Sequence, residues 1–215
     1  MVFANDHLTQ TGHFTLKMHP QSHQKELILA STSPYRHALL ARLCPSFISH
    51  KPEVDETPLP GERTNALTER LALAKAESVA TAFPAAFVIG SDQLAEFAGR
   101  SIGKPGSEEK AVAQLMQFSN HSVNFHTSVA VICKASAFCQ YTTIRTKVQF
   151  RKLGEDEVRR YEALDKPLDC AGAFRSEAAG PMLLRAMNSS DPSAIIGLPL
   201  IAVARILRDA GFKLP

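Results

Sequence analysis

A chain of 215 residues with 45% hydrophobic and 21% charged positions is an ordinary folded protein, long enough for one domain with a cleft between two lobes. Its formal charge of +3 is too mild to argue for nucleic acid as a partner. No apolar run approaches the roughly 18 residues of a membrane span, so no membrane is expected either.

Residues 1–25 are polar, carry four histidines and lack an apolar stretch of signal-peptide length. They read as a disordered extension ahead of a single domain at 26–215, with Met18 as an alternative start. Cys44, Cys133, Cys139 and Cys170 form no C-x-x-C pair and lie near no metal-type histidine spacing, which suggests reduced thiols and a cytoplasmic setting.

In chain order, residues 26–30 (E-L-I-L-A) form a short apolar run, as in a buried strand. Ser33 then serves as N-cap and Pro34 as the first residue of a helix with Leu39, Leu40 and Leu43 on one side, ending before Pro45. Residues 47–49 suggest a second strand, and 51–61 a loop rich in proline and carboxylates. Residues 64–83 read as a long helix with Leu67, Leu71 and Ala74 at helical spacing. Residues 87–89 are a compact strand ending in Gly90-Ser91-Asp92, and Ala98-Gly99-Arg100 marks a hairpin turn. Residues 107–118 form a helix with acids in its first turn.

Two strands follow, with Val123, Phe125, Val129 and Val131 alternating in one and Ile144, Thr146, Val148 and Phe150 in the other. Arg145, Lys147, Gln149 and Arg151 take the opposite face of the second strand. Helices at 154–164 and 193–210 close the chain. The order of elements argues for an α/β fold with a mixed sheet.

The most informative stretch is Ser31-Thr32-Ser33-Pro34-Tyr35-Arg36, a hydroxyl-rich loop between strand and helix. Backbone N–H groups and the positive end of a helix dipole favour an anion there. Ser31 and Ser33 add hydroxyls, and Arg36 adds a fork that fits phosphate oxygens. The plainer alternative is a capped helix with a surface arginine. Asp92 stands at the carboxyl end of its expected strand, where α/β sheets collect ligands, and suits a metal or an attacking water. Lys75 shares a helix face with Leu67 and Leu71 and so points coreward, unless it snorkels to the surface. Lys104 lies in Gly103-Lys104-Pro105, and Asp55-Glu56 adds further carboxylates. Cations for phosphate and carboxylates for metal are the needs of a phosphoanhydride hydrolase. Neither a G-x-x-x-x-G-K-[ST] loop nor a dinucleotide fingerprint is present.

The ordered motifs L-I-L-A-S-T-S-P-Y-R-H-A-L-L (27–40), P-E-V-D-E-T-P (52–58), I-G-S-D-Q (89–93), G-K-P (103–105), residues 170–177 and I-G-L-P-L (196–200) resemble the Maf family of nucleotide pyrophosphatases. The resemblance runs from about residue 26 to 210. It implies an α/β fold of the inosine triphosphatase type, with a mixed twisted sheet flanked by helices and a substrate cleft between two lobes. It further implies a homodimer, a divalent metal (Mg2+ or Mn2+) and a small nucleotide substrate.

Carried over by motif, Asp92 corresponds to the family's proton acceptor, while Ser31, Arg36, Glu56, Lys75 and Lys104 fall on its phosphate- and metal-handling positions. Glu56 and Asp92 are the metal candidates, and which of them activates water stays open. Tyr35, Gln93 and Glu177 match the family's base-specificity positions. They depart from the Arg, Thr and Gln of the branch acting on dTTP and UTP, and resemble the YceF-type branch associated with 7-methyl-GTP. The physics agrees: an aromatic face attracts the cationic methylated ring, and a carboxylate accepts guanine's adjacent N–H groups. The rival readings are a pyrophosphatase for another nucleotide such as dTTP or UTP, a nucleotide-binding cell-division regulator with little turnover, and a nucleic-acid binder using Arg145, Lys147 and Arg151.

Overall fold

Residues 25–214 are described by a computed structural model, so the extension expected at 1–25 lies outside the described residues except for Lys25. The chain runs β1 (Leu27–Ala30), α1 (Pro34–Leu40), β2 (Ile48–His50), α2 (Thr64–Ala82), β3 (Phe87–Phe97) and β4 (Arg100–Ile102). It continues with α3 (Glu108–Phe118), β5 (Ser122–Cys133), β6 (Phe138–Phe150), α4 (Glu155–Asp165), β7 (Leu184–Asn188) and α5 (Leu200–Asp209). Seven strands form one mixed sheet in the order β2-β1-β3-β5-β6-β7, with β4 added beside β3. The fold is the expected mixed α/β arrangement.

Helices cover the sheet because the strands bury both faces. Leu27–Ala30 is buried throughout, as the continuous apolar run of a parallel strand requires. Leu29 and Ile89 pack with Leu39, Leu40, Val203 and Ile206 from α1 and α5 on one face. On the other face Ile28, Val88 and Ala130 meet Ala72 and Ala76 of α2. Farther along, Leu115, Phe118, Phe125, Phe150, Val158 and Phe174 form a third cluster that includes residues of α3 and α4. Each fully buried large side chain of this kind contributes about 1.5–3 kcal/mol, which makes the facing of every strand strongly specified.

Three details depart from the sequence expectation. The strand begun at Phe87 does not stop at Asp92 but runs eleven residues to Phe97, carrying the polar Ser91-Asp92-Gln93 through its middle. The closing helix is broken: a 3-10 turn at Ala194–Ile196 precedes Gly197, and α5 starts only after Pro199. Gly197 holds φ at +126°, a backbone region open to glycine and nearly closed to other residues. Finally, β7 pairs with the end of β6, an edge strand with no apolar alternation to announce it.

The topology opens a gap where it matters. Along one edge of β3, β1 pairs with Phe87 to Gly90 and β4 pairs with Ala95 to Phe97. Between them the edge at Ser91 to Leu94 has no strand beside it, while β5 pairs with the opposite edge throughout. Asp92 therefore stands just past the point where the parallel strand leaves, the kind of switch point at which α/β sheets bind ligands.

Candidate active site

A cleft of about 670 Å³ lies at this gap. One wall comes from the β1–α1 loop, the loop after β2 and α2, and the other from Gly103-Lys104, Asp169–Ala171, Phe174 and Glu177. Nearly every residue selected from the sequence lines it: Ser31, Ser33, Tyr35, Arg36, Glu56, Lys75, Asp92, Gln93, Lys104 and Glu177.

At the polar end, Lys75 Nζ lies 2.6 Å from Asp92 Oδ1 and 2.8 Å from Glu56 Oε1. Lys75 and Asp92 are buried, whereas Glu56 is exposed on its loop. The inward face expected for Lys75 is thus observed, and its partners come from β3 and the loop after β2. Gly90 makes this contact reachable. A Cβ at Gly90 would sit 2.2 Å from the Ala72 carbonyl oxygen, so only glycine lets α2 lie this close to β3. Burial raises the Asp92 carboxyl above its ordinary range, opposed by the charges of Lys75 and Arg36. Glu56 and Asp92 supply two hard oxygen donors, and among the described residues no group of three His, Cys, Asp or Glu forms an all-protein metal cage.

The hydroxyl loop is built as its sequence suggests, with one difference. Ser33 caps α1, its Oγ accepting from the Arg36 N–H at 3.4 Å. Ser31 Oγ accepts from the Ser33 N–H at 3.1 Å, and the Ser31 N–H donates to Leu29 O. The Ser31, Ser33 and Arg36 amides are thus used inside the loop, beside the two hydroxyl groups and the Arg36 guanidinium. The Arg36 Nε donates to Gly197 O at 3.0 Å and NH1 lies 3.5 Å from Ser31 Oγ. The carboxylates of Asp92 and Glu56 supply the counter-charge for this half-buried guanidinium, whose pKa desolvation lowers. Lys104 is exposed at the mouth, in the loop before α3.

The loop that carries Glu56 is braced from α2. Arg70 donates through Nε and NH2 to both Glu62 oxygens at 2.7 and 2.8 Å, and NH2 also reaches Thr57 O at 3.1 Å. This fork holds the Glu62 carboxyl down to about 2.

At the other end, Tyr35 OH donates to Asp169 Oδ1 at 3.4 Å, and burial, with Cys170 and Asp169 nearby, pushes its phenol up to about 12. Glu177 lies at the same end of the cleft, 3.3 Å from Arg175 Nε. Gln93 is engaged differently from a free base reader. Its Nε2 donates to Ala194 O at 2.8 Å, to Ile195 O at 3.0 Å and to Thr127 Oγ1 at 3.0 Å.

Ser91, buried, donates to Ser128 O and to Gly197 O at 2.8 and 3.0 Å. Ser91, Gln93 and Arg36 thus pin one short segment, 194–197, as a wall of the cleft. Sequence reasoning missed Ser91, Asp169, Arg70 and Arg175. The alternation of Ser91 with Gln93 along an extended strand was the signal available for the first.

Over residues 26–210 the sequence matches the family described as Maf-like protein. A protein of Xanthomonas campestris named 7-methyl-GTP pyrophosphatase is 51% identical over 189 residues, covering 88% of this chain and 98% of its own. One of Polaromonas, with the same name, is 49% identical over 190 residues, covering 88% and 87%. With the hydroxyl-rich loop, the Lys75 carboxylate pair and the pinned 194–197 segment all falling inside the matched region, the chain belongs to the Maf family.

Proposed function

We propose that this chain hydrolyses 7-methyl-GTP to 7-methyl-GMP and pyrophosphate. The observation that carries this reading is one cleft with two unlike ends: cations and carboxylates at Arg36, Glu56, Lys75, Asp92 and Lys104, and an aromatic ring with a carboxylate at Tyr35 and Glu177. The names of the half-identical relatives support it.

Water attacks the α-phosphorus and gives its proton to Asp92. The bond from the α-phosphorus to the bridging oxygen breaks, and pyrophosphate leaves with that electron pair. Lys75 holds Oδ1 of Asp92, which leaves Oδ2 to take the proton. A carboxylate raised by burial is a stronger base than a solvated one. Arg36, Lys75 and Lys104 neutralise the charge that grows on the leaving group, and the Ser31 and Ser33 hydroxyls orient the phosphates.

With Asp92 as the base, Glu56 would hold a magnesium or manganese ion, since such ions take one or two carboxylates together with substrate phosphate oxygens. When bound, it supplies positive charge to those oxygens. At the base end, Tyr35 stacks on the methylated ring, Glu177 accepts its two adjacent N–H donors, and Gln93 shapes the pocket through the 194–197 wall.

A homodimer in the cytoplasm completes the reading, on the family resemblance and the four free cysteines. Sedimentation velocity checks the dimer. Pyrophosphate release with magnesium, compared across 7-methyl-GTP, GTP, dTTP, UTP and ITP, tests the substrate, with Asp92→Asn as control. The expected result is a preference for 7-methyl-GTP that the control abolishes. A pyrimidine preference would discard the base assignment and keep the chemistry, whereas no turnover on any nucleotide would favour a binding regulator.

A further inference from the structure

Arg175 does not line the cleft, yet it touches both side chains assigned to the base. Its guanidinium carbon lies 5.4 Å from the centroid of the Tyr35 ring, and its Nε donates to Glu177 Oε1 at 3.3 Å. The same guanidinium is anchored elsewhere: NH1 donates to the carbonyl oxygen of Asp165, the last residue of α4, at 3.0 Å. The Arg175 N–H donates to the hydroxyl of Tyr161, a buried residue of the same helix, at 2.9 Å. One planar cation thus links a helix to an aromatic ring and a carboxylate.

We propose that Arg175 is a positioning residue for base selectivity, tying the Tyr35 ring and the Glu177 carboxylate to α4 so that both keep a fixed relation across the cleft. The inference rests on the reading of Tyr35 and Glu177 as the base-contacting end. A glutamate on an irregular segment otherwise samples several rotamers, and ordering it on substrate arrival weakens binding. Arg175 orders it beforehand and balances its charge while the cleft is empty. Lysine cannot replace it. An ammonium lacks the planar fork that donates to Glu177 and Asp165 while lying on a ring.

The test is steady-state pyrophosphate release from 7-methyl-GTP and GTP by wild type, Arg175→Met, Arg175→Lys, Glu177→Gln, Tyr35→Ala and the Arg175→Met/Glu177→Gln double variant. Arg175→Met should raise KM for 7-methyl-GTP about tenfold, as misplacement of a binding group does. It should leave kcat within about twofold and narrow the preference over GTP. Arg175→Lys should resemble Arg175→Met, and it carries the test alone if the methionine variant does not fold. The double variant should lose less than the sum of the two single losses, because part of what Arg175 does runs through that carboxylate and the rest through Tyr35.

Additive losses in the double variant, a fall in kcat at unchanged KM, or full function in Arg175→Lys would each overturn the proposal. Failure of the underlying base reading has a different signature: Tyr35→Ala and Glu177→Gln would then both match wild type in KM and in selectivity.

Discussion

Because Lys75 touches both Asp92 and Glu56, removing the charge of Asp92 leaves the buried ammonium with a carboxylate partner. Asp92→Asn is therefore expected to fold and melt much like the wild type while losing turnover. Pyrophosphate release retained in a folded Asp92→Asn protein would move the reaction centre elsewhere. In the proposed reaction the same residue sets a pH limit. Protonated Asp92 cannot take the water proton, so kcat/KM falls as pH drops through its pKa. Burial raises that pKa, so the acid limb of the profile should lie above the ordinary aspartate value of about 3.9. At Tyr35, loss of a cation–π contact of about 1–2 kcal/mol should cut the preference for 7-methyl-GTP over GTP by roughly 5- to 30-fold in Tyr35→Ala; equal selectivity in the two proteins would remove stacking from the account. Residue identity was the most legible layer, since spacing from Leu67 and Leu71 sufficed to turn Lys75 inward. Its two partners were not legible. They arrive from β3 and a loop, and only the sheet topology puts them within 3 Å of one ammonium.

At the scale of elements, the approach of α2 to β3 depends on the missing side chain of Gly90. Gly90→Ala places a methyl group 2.2 Å from Ala72 O and 2.5 Å from Ala76 N, both backbone atoms that yield only if the helix moves. Overpacking of this kind costs about 1–3 kcal/mol or more, measurable by urea denaturation. Displacing α2 also shifts Lys75 from Asp92, so turnover should fall in the same variant. A variant as stable and active as wild type would show that α2 tolerates the shift. The apolar pattern gave β1, α1, α3 and the alternation within β5 and β6 away readily, because each buries a regular face. It was silent on the second half of β3, where Ser91, Asp92 and Gln93 look like loop chemistry but are held extended by β5. It was silent on β7 as well, whose exposed L-R-A-M-N sequence owes its strand to an open edge on β6. The break at Gly197 before α5 was visible as Gly-Leu-Pro, yet the apolar residues on both sides read as one helix.

For the whole molecule, the cleft carries its own counter-ion: Lys75 already balances the two carboxylates beside which a divalent metal would sit. Chelation should therefore stop pyrophosphate release, restorable by magnesium, without lowering the melting temperature. A large fall in Tm on chelation would mean that the metal is structural. The arrangement of the two walls was legible only through family resemblance, since no local pattern says that Glu177 will face Tyr35 across 142 positions of chain. One feature of the wall bears on redesign of the cleft. Gln93 holds the carbonyls of Ala194 and Ile195, while Ser91 and Arg36 hold that of Gly197, so the proposed base end and the arginine proposed for the phosphates share one short piece of backbone. A shorter side chain at Gln93 would release that backbone before it could offer a new base anything. Any redesign of the base end at Gln93 should therefore be felt at Arg36 as well, unless a second change in the 194–197 segment restores the lost hold.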